Sequence, residues 1–349
     1  MGSSASTDDS RMSDYERTAW QALLGEADKQ GHQSDRFGDW TRSIKGRVNE
    51  AAARARAAVE RVPGADVVID TVDATVTKAM EGLHTALVER GLNSVRPADV
   101  FRMFAAQEVQ VQSYDDVRRL DLKLCDGSVP PRRDRYLALA VTEGAASSLA
   151  VTGAVLSTTV SGGTTTAVAV TAIVADVTTV MVGMGRIVAL VGAHYGYDVR
   201  EPEEQLFASG VIAYSTAGSP TDKAAALASL SRLTQQMMAR ATWRHLRQQQ
   251  TVNVIQRVFT SLGFNLTKRK LAQVVPVVGA VINGGLNARI AHQTFERAQQ
   301  VYRLRFLTEK YGLDPARWAP PVAADAGTVD IPLVDEVLEE ELALHPTED

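Results

Sequence analysis

Residues Lys268–Leu307 read KRKLAQVVPVVGAVINGGLNARIAHQTFERAQQVYRLRFL, and this stretch decides the fold. Three cations open it. Sixteen uncharged residues follow, Leu271 to Leu286, mostly apolar and punctuated by Pro276, Gly279, Gly284 and Gly285. After Asn287 the apolar positions Ala291, Phe295, Ala298, Tyr302 and Phe306 recur at three and four, one face of a long amphipathic helix. Lys310 in its last turn, then Gly312 and Pro315, close that helix. Thr267 reads as the N-cap of the stretch, which would put Lys268, Arg269 and Lys270 in a first helical turn. Cations there oppose the macrodipole and stand beside free amides, an arrangement suited to an anion.

The remaining sequence reads as helices almost throughout. Ser13 with Glu16 is a capping box, opening a helix that Gly31 ends. Residues 41–60 are helical up to Pro63-Gly64, and a helix is expected from Asp66 to Arg90, closed by Gly91. Pro97 suits the first position of a helix to about Gln112. Ser113 and Asp116 cap another, which runs to Asp126-Gly127. After Pro130-Pro131, no charged residue occurs from Gly144 to Ala175, and Ser161-Gly162-Gly163 splits this Ala/Val/Thr/Ser stretch in two. It reads as a helical hairpin, about 136–160 and 164–194. Thr and Val favour strands, so a β-hairpin competes, but the alternation is poor and the arms are long. Further helices are expected from Pro202, from Ser219-Pro220 past Gln250, and over 252–262 ended by Gly263.

The expected fold is therefore all-α: a multi-helix bundle around a small-residue-rich helical hairpin, with 136–194 and 271–286 packed together at its centre. Residues 1–12 are expected to be disordered, 13–318 to form the helical domain, and 319–349 to be an acidic flexible tail, within which Ile331–Leu344 fits a short amphipathic helix. Each hairpin arm approaches the roughly 20 apolar residues of a bilayer span. Two readings stay open: a buried centre of a soluble bundle, or a segment that enters or lies on a membrane.

Net charge is −4, but it is unevenly placed. Nine acidic residues and no Lys or Arg follow Pro320, leaving residues 1–319 at +5. Between Asp222 and Glu296 there is no acidic residue and there are ten cations, among them Arg240, Arg244, Arg247, Lys268, Arg269 and Lys270. Arg240, Arg244 and Arg247 recur on one helical face. Such a span is a solvated surface or asks for an anionic partner: lipid headgroups, nucleic acid, or the protein's own acidic tail. Little aromatic interleaving and no recognisable nucleic-acid motif count against nucleic acid.

The sequence carries few of the patterns of reaction chemistry. One cysteine, Cys125, builds no disulfide framework and no thiolate metal cluster, and fits a reducing cytoplasm. The six histidines form no zinc-ligand pattern, and no nucleophile elbow or P-loop occurs. Gly183-Met184-Gly185 reads as small residues at a helix crossing. Glu143 and Asp176 flank the uncharged hairpin and are the candidate acid and base. Such acids more often cap a helix or pair with a cation, here Arg186. No cofactor and no metal are expected.

Two blocks carry a family resemblance. RIVALVGAHYGYDVREPEEQLFASGVI (Arg186 to Ile212) and LTKRKLAQVVPVVGAVINGGLNARIAHQTFERAQQVYRLRFL (Leu266 to Leu307) resemble the two characteristic blocks of the EcsC protein family. Tyr15-Glu16 resembles that family's opening helix. The matching positions are Tyr195, Gly196, Tyr197 and Asp198 in the first block, and Pro276, Gly279, Asn287 and Arg305 in the second. The family takes its name from a gene in an ABC-transporter operon of Gram-positive bacteria. The resemblance implies an α-helical bacterial domain and a connection to membranes, and brings no catalytic residue.

These readings leave three functional expectations. The first is a non-enzymatic lipid-binding or membrane-associated accessory protein, cytoplasmic and peripheral at the inner face of the cell membrane, meeting anionic lipid through its cationic helices. The second is an enzyme on a lipid or hydrophobic substrate with Asp176 or Glu143 as acid or base. The third is a soluble partner-binding scaffold regulated by its acidic tail.

Overall fold

The computed structural model describes residues 11–29, 82–129, 165–239, 248–274, 283–319 and 329–344, with side chains at all of these except 165–174, 248–249, 268–274 and 283–289. All regular structure among the described residues is helical. Helix α1 covers residues 14–29. Leu83–Ala86 (α2) passes into a π turn at Leu87–Gly91 and a 3-10 turn at Leu92–Ser94. Then come α3 (Pro97–Ala105), α4 (Tyr114–Arg119), α5 (Leu122–Ser128), α6 (Thr165–His194), α7 (Pro202–Thr216), α8 (Pro220–Ala239), α9 (Gln248–Val274), α10 (Asn283–Tyr311) and α11 (Val334–Leu344).

The thirty-residue α6 is the axis of the bundle. Its buried positions Val177, Met181, Met184, Val188 and Val191 recur at four and three, so one stripe faces inward along the helix. It packs against α10, α9, α7 and the Leu87–Gly91 turn. Ala175–His194 is apolar and long enough to cross a membrane, but 72% of it is buried inside the bundle, where it serves as core. Small residues set how closely its neighbours approach. A Cβ on Gly185 would stand 2.6 Å from Leu87 Cδ1, and one on Gly192 would stand 2.8 Å from Cζ of Tyr302. Gly185 thus lies at a helix crossing, as its setting in the sequence suggests. The second arm of the expected hairpin is α6. Its first arm and turn lie outside the described residues, as does nearly all of the packing expected for 271–286.

Helix starts follow the sequence signals more closely than helix ends. Pro97 and Pro202 occupy first turns. Ser13/Glu16, Ser113/Asp116 and Ser219/Asp222 all form reciprocal capping boxes. The Pro97 helix, however, stops at Ala105. The helix capped by Ser113 stops at Arg119, because Asp121 caps a new one, taking the Lys123 amide at 2.8 Å. Gly263 ends nothing: α9 runs through it to Val274. One glycine costs a helix about 1 kcal/mol, and Val258, Phe259 and Leu262 are buried around it. Thr267 is therefore no cap; its hydroxyl donates to the Gly263 carbonyl at 2.8 Å. This reverses one expectation. Lys268, Arg269 and Lys270 stand four to six residues before Val274, the last described residue of α9, and not in a first turn. Helix α10 begins at Asn283, five residues before Ala288, and ends as expected at Tyr311 with Gly312 at φ 65°.

Within the acidic C-terminal segment, α11 packs on α8 and α9, with Val334 and Leu338 buried. A Cβ on Gly210 of α7 would lie 3.2 Å from Cγ2 of Val334, so that glycine leaves room for the helix to seat.

The N-terminus is tied in by Glu16, which is 1% exposed. Besides closing its capping box, its carboxylate accepts from the Leu122 amide at 3.1 Å, Lys310 Nζ at 2.7 Å and the Tyr311 hydroxyl at 2.5 Å. Burial pushes its pKa up, but Lys310, Tyr311 and the two amides outweigh that and hold it below the usual carboxylate range. A depressed native pKa contributes stability above the unfolded value of about 4.5 and loses it as pH falls through the native value. Glu16→Gln should cost about 3 kcal/mol at pH 7, because it strands Lys310. It should also flatten the fall of stability below about pH 4.5. Urea titrations from pH 3 to 7 check both; a variant with the parent's acid limb would refute this role for Glu16.

Candidate functional site

The four-residue turn after α6 is the best-specified local feature. Gly196 has φ 86°, and a Cβ there would sit 2.7 Å from the Tyr114 carbonyl and from the Arg118 side chain, so only glycine fits. Arg118 returns a hydrogen bond to the Gly196 carbonyl at 3.0 Å. The turn aims Tyr195 and Tyr197, both fully buried, in different directions. Tyr195 donates to Asp126 at 2.6 Å. The same carboxylate accepts from Tyr15 at 2.6 Å and pairs with Arg303 at 2.9 Å. Burial, reinforced by Asp126, pushes the Tyr15 hydroxyl up to about 12. Tyr197 donates to Glu309 at 3.1 Å. Asp198 turns outward, accepting from the Arg200 amide at 3.1 Å and from its guanidinium.

Tyr197 is also one wall around Arg305. That side chain is 3% exposed and lies 4.1 Å from the Tyr197 ring centroid and 4.3 Å from that of Phe207. Its fork meets both oxygens of Glu204 at 2.7 Å, and its Nε meets Glu309 at 2.7 Å. Two carboxylates thus share one buried cation. Burial pushes the Glu204 carboxyl up, against the pull of Arg305. Arg305 stays charged: burial works against its charge, and Glu204 and Glu309 more than restore it. Forked geometry of this kind is specific to arginine. The cluster joins α7 to α10, and each charge in it is satisfied by a neighbour, so it reads as a clasp.

A second buried pair has the residue types of nucleophilic catalysis. Ser128 Oγ lies 2.8 Å from His194 Nδ1, with both side chains buried. The serine hydroxyl donates to the Cys125 carbonyl at 2.7 Å, so His194 Nδ1–H donates to Ser128. His194 Nε2 then has a lone pair and no hydrogen-bond partner among the described residues. Burial pushes the imidazole pKa down to about 4. Among the described residues no carboxylate orients the ring, and the serine proton faces a carbonyl, so the pair is set up for packing rather than proton relay. Burial likewise pushes the Cys125 thiol up to about 12, the mark of an inert thiol.

The sequence-derived residues distribute unevenly. Tyr195, Gly196, Tyr197 and Arg305, from two separate blocks, do converge. Asp176 is partly buried on α6 and engaged in an interaction. It cannot pair directly with Arg186, since ten residues of one helix separate them by about 15 Å. Glu143, Pro276, Gly279, Arg240, Arg244 and Arg247 lie outside the described residues. Lys268, Arg269, Lys270 and Asn287 are placed by backbone only, the first three near the end of α9 and Asn287 near the start of α10. Among the described residues no group of His, Cys, Asp or Glu could hold a metal ion. Sequence reasoning missed Glu204, Glu309 and Asp126. Glu309 had a readable signal, standing four residues after Arg305; Glu204 and Asp126 are visible only once the helices are packed.

Compared with known protein families, residues 150–307 match the EcsC protein family. The match includes the Tyr195–Asp198 turn, Glu204 and Arg305, and excludes Glu16, Asp126 and Glu309. No curated protein and no solved structure matches the chain.

Removing the cation of the clasp leaves two buried carboxylates uncompensated, which costs about 3–5 kcal/mol. Arg305→Met should therefore lower stability by that amount in urea unfolding. Adding Glu204→Gln should recover part of the loss. Additive losses, or a single-variant loss under about 1 kcal/mol, would mean that the pair is not coupled.

Proposed function

We propose that the protein is a non-enzymatic accessory protein that binds anionic lipid peripherally, on the cytoplasmic face of a membrane. The observation that carries this reading is the placement of Lys268, Arg269 and Lys270 within the last two turns of α9, directly before the sixteen uncharged residues Leu271–Leu286. Cations followed by an apolar segment suit an interface in which headgroups meet charge and acyl chains meet side chains. The span from Lys223 to Phe295 contributes no acidic residue of its own. The burial of α6 supports surface attachment over insertion, because the apolar helix already has its partners inside the bundle.

Each basic residue near an anionic surface contributes about 1 kcal/mol. The triple variant Lys268→Gln, Arg269→Gln, Lys270→Gln should thus weaken binding to phosphatidylglycerol vesicles by about a hundredfold, with folding intact. Equal flotation of the triple variant and the parent protein would refute the assignment.

A further inference from the structure

Helix α11 brings acidic side chains onto the cationic face. Asp335 accepts from Ser229 and pairs with Arg232. Glu341, almost buried, accepts from Asn253 at 2.8 Å and stands 3.5 Å from Arg257. Glu340 pairs with Arg257 at 2.7 Å, but that pair is open to water, with Arg257 43% and Glu340 64% exposed. Beside it an open groove of about 620 Å³ runs along α9. Its lining offers hydrogen-bond donors in the amide of Gln256, the hydroxyls of Thr260 and Ser261 and the guanidinium of Arg257, beside the Glu341 carboxylate, Asn253, and Asn265, whose amide donates to the Asp330 carbonyl at 2.9 Å. The Phe264 ring adds an apolar wall. Lys268 follows Arg257 by eleven residues, three turns of one helix, so the two positions fall on the same stripe of α9.

We propose that this groove binds a phosphate-bearing anionic head group, with Arg257 as its inner cation and Glu340 as a built-in competitor for that cation. The proposal rests on the surface-binding reading above and adds the subsite that takes the head group. A guanidinium fork matches a phosphate as well as it matches a carboxylate. A solvent-exposed ion pair is weak and exchanges readily, so an incoming phosphate can replace Glu340. Asp335 and Glu341 stay in place, because they are held by Ser229 and Asn253. Helix α11 therefore need not leave for the exchange to occur. The register then carries the anion's path along α9 toward Lys268.

The test uses the full chain, as the parent and as Glu340→Gln, Arg257→Gln and the double variant. Both residues are exposed, and parent-like urea midpoints verify folding. Affinity is measured on phosphatidylglycerol and phosphatidylcholine vesicles. Glu340→Gln should tighten phosphatidylglycerol binding about fivefold, Arg257→Gln should weaken it about fivefold, and the double variant should match Arg257→Gln. If Glu340→Gln tightens binding equally with and without Arg257, the effect is general charge and the proposal fails. It fails too if neither single variant departs from the parent while the Lys268–Lys270 variant loses binding; the surface reading then survives alone. A second arm measures the thermal midpoint with glycerol 3-phosphate. A rise in Glu340→Gln that is absent in Arg257→Gln identifies a free phosphate as sufficient; vesicle effects without such a rise identify the lipid head group. If no form of the protein binds vesicles, the surface reading falls, and the groove then stands or falls on whether glycerol 3-phosphate raises the midpoint.

Discussion

A guanidinium sealed from water between Glu204 and Glu309 constrains how the bundle can close. Arg305 belongs to α10 and Glu204 to the first turn of α7, so the two helices can meet only where the fork reaches both carboxylate oxygens. The rings of Tyr197 and Phe207 flank the cation and exclude water from it. Tyr197 in turn requires the left-handed Gly196 that reverses the chain after α6. A buried ion pair is a poor source of net stability, because desolvation consumes most of its attraction. Its effect is to make other packings of α7 on α10 costly, each leaving a charge stranded.

Helix α10 repeats this device along its length. Arg297 donates to the Tyr214, Ser215 and Ala217 carbonyls at 2.6–3.1 Å, satisfying the open end of α7. Arg303 holds Asp126, and with it Tyr195 and Tyr15. Lys310 holds Glu16 and the Leu120 carbonyl. Four cations on one helix thus gather four segments that are distant in sequence. These four charges are engaged in the interior; on α8 and α9, Arg232 and Arg257 instead meet carboxylates of α11.

The sequence made helix starts legible because each has a local cause: a proline at the first position, or a serine reading its own acidic residue three positions on. Ends were less legible. Gly263 has the look of a stop, but buried neighbours on both sides carry the helix across it. That single difference moves Lys268–Lys270 from the first turn of one helix into the body of another. The turn at Tyr195–Asp198 and Arg305 were readable as a pattern, whereas their meeting depends on Glu204, whose role exists only after α7 docks on α10. The carboxylate pair read from the sequence as acid and base gains no support from α6, where Asp176 and Arg186 are too far apart to serve each other.

The described interior of this protein is closed by paired charges, and the proposed function falls to its cationic surface. The most direct test is co-flotation of the parent protein with phosphatidylglycerol and with phosphatidylcholine vesicles, at low and at high salt. Flotation is expected with the anionic vesicles alone, lost as salt rises. Absence of flotation, or salt-resistant flotation with neutral vesicles, would contradict it.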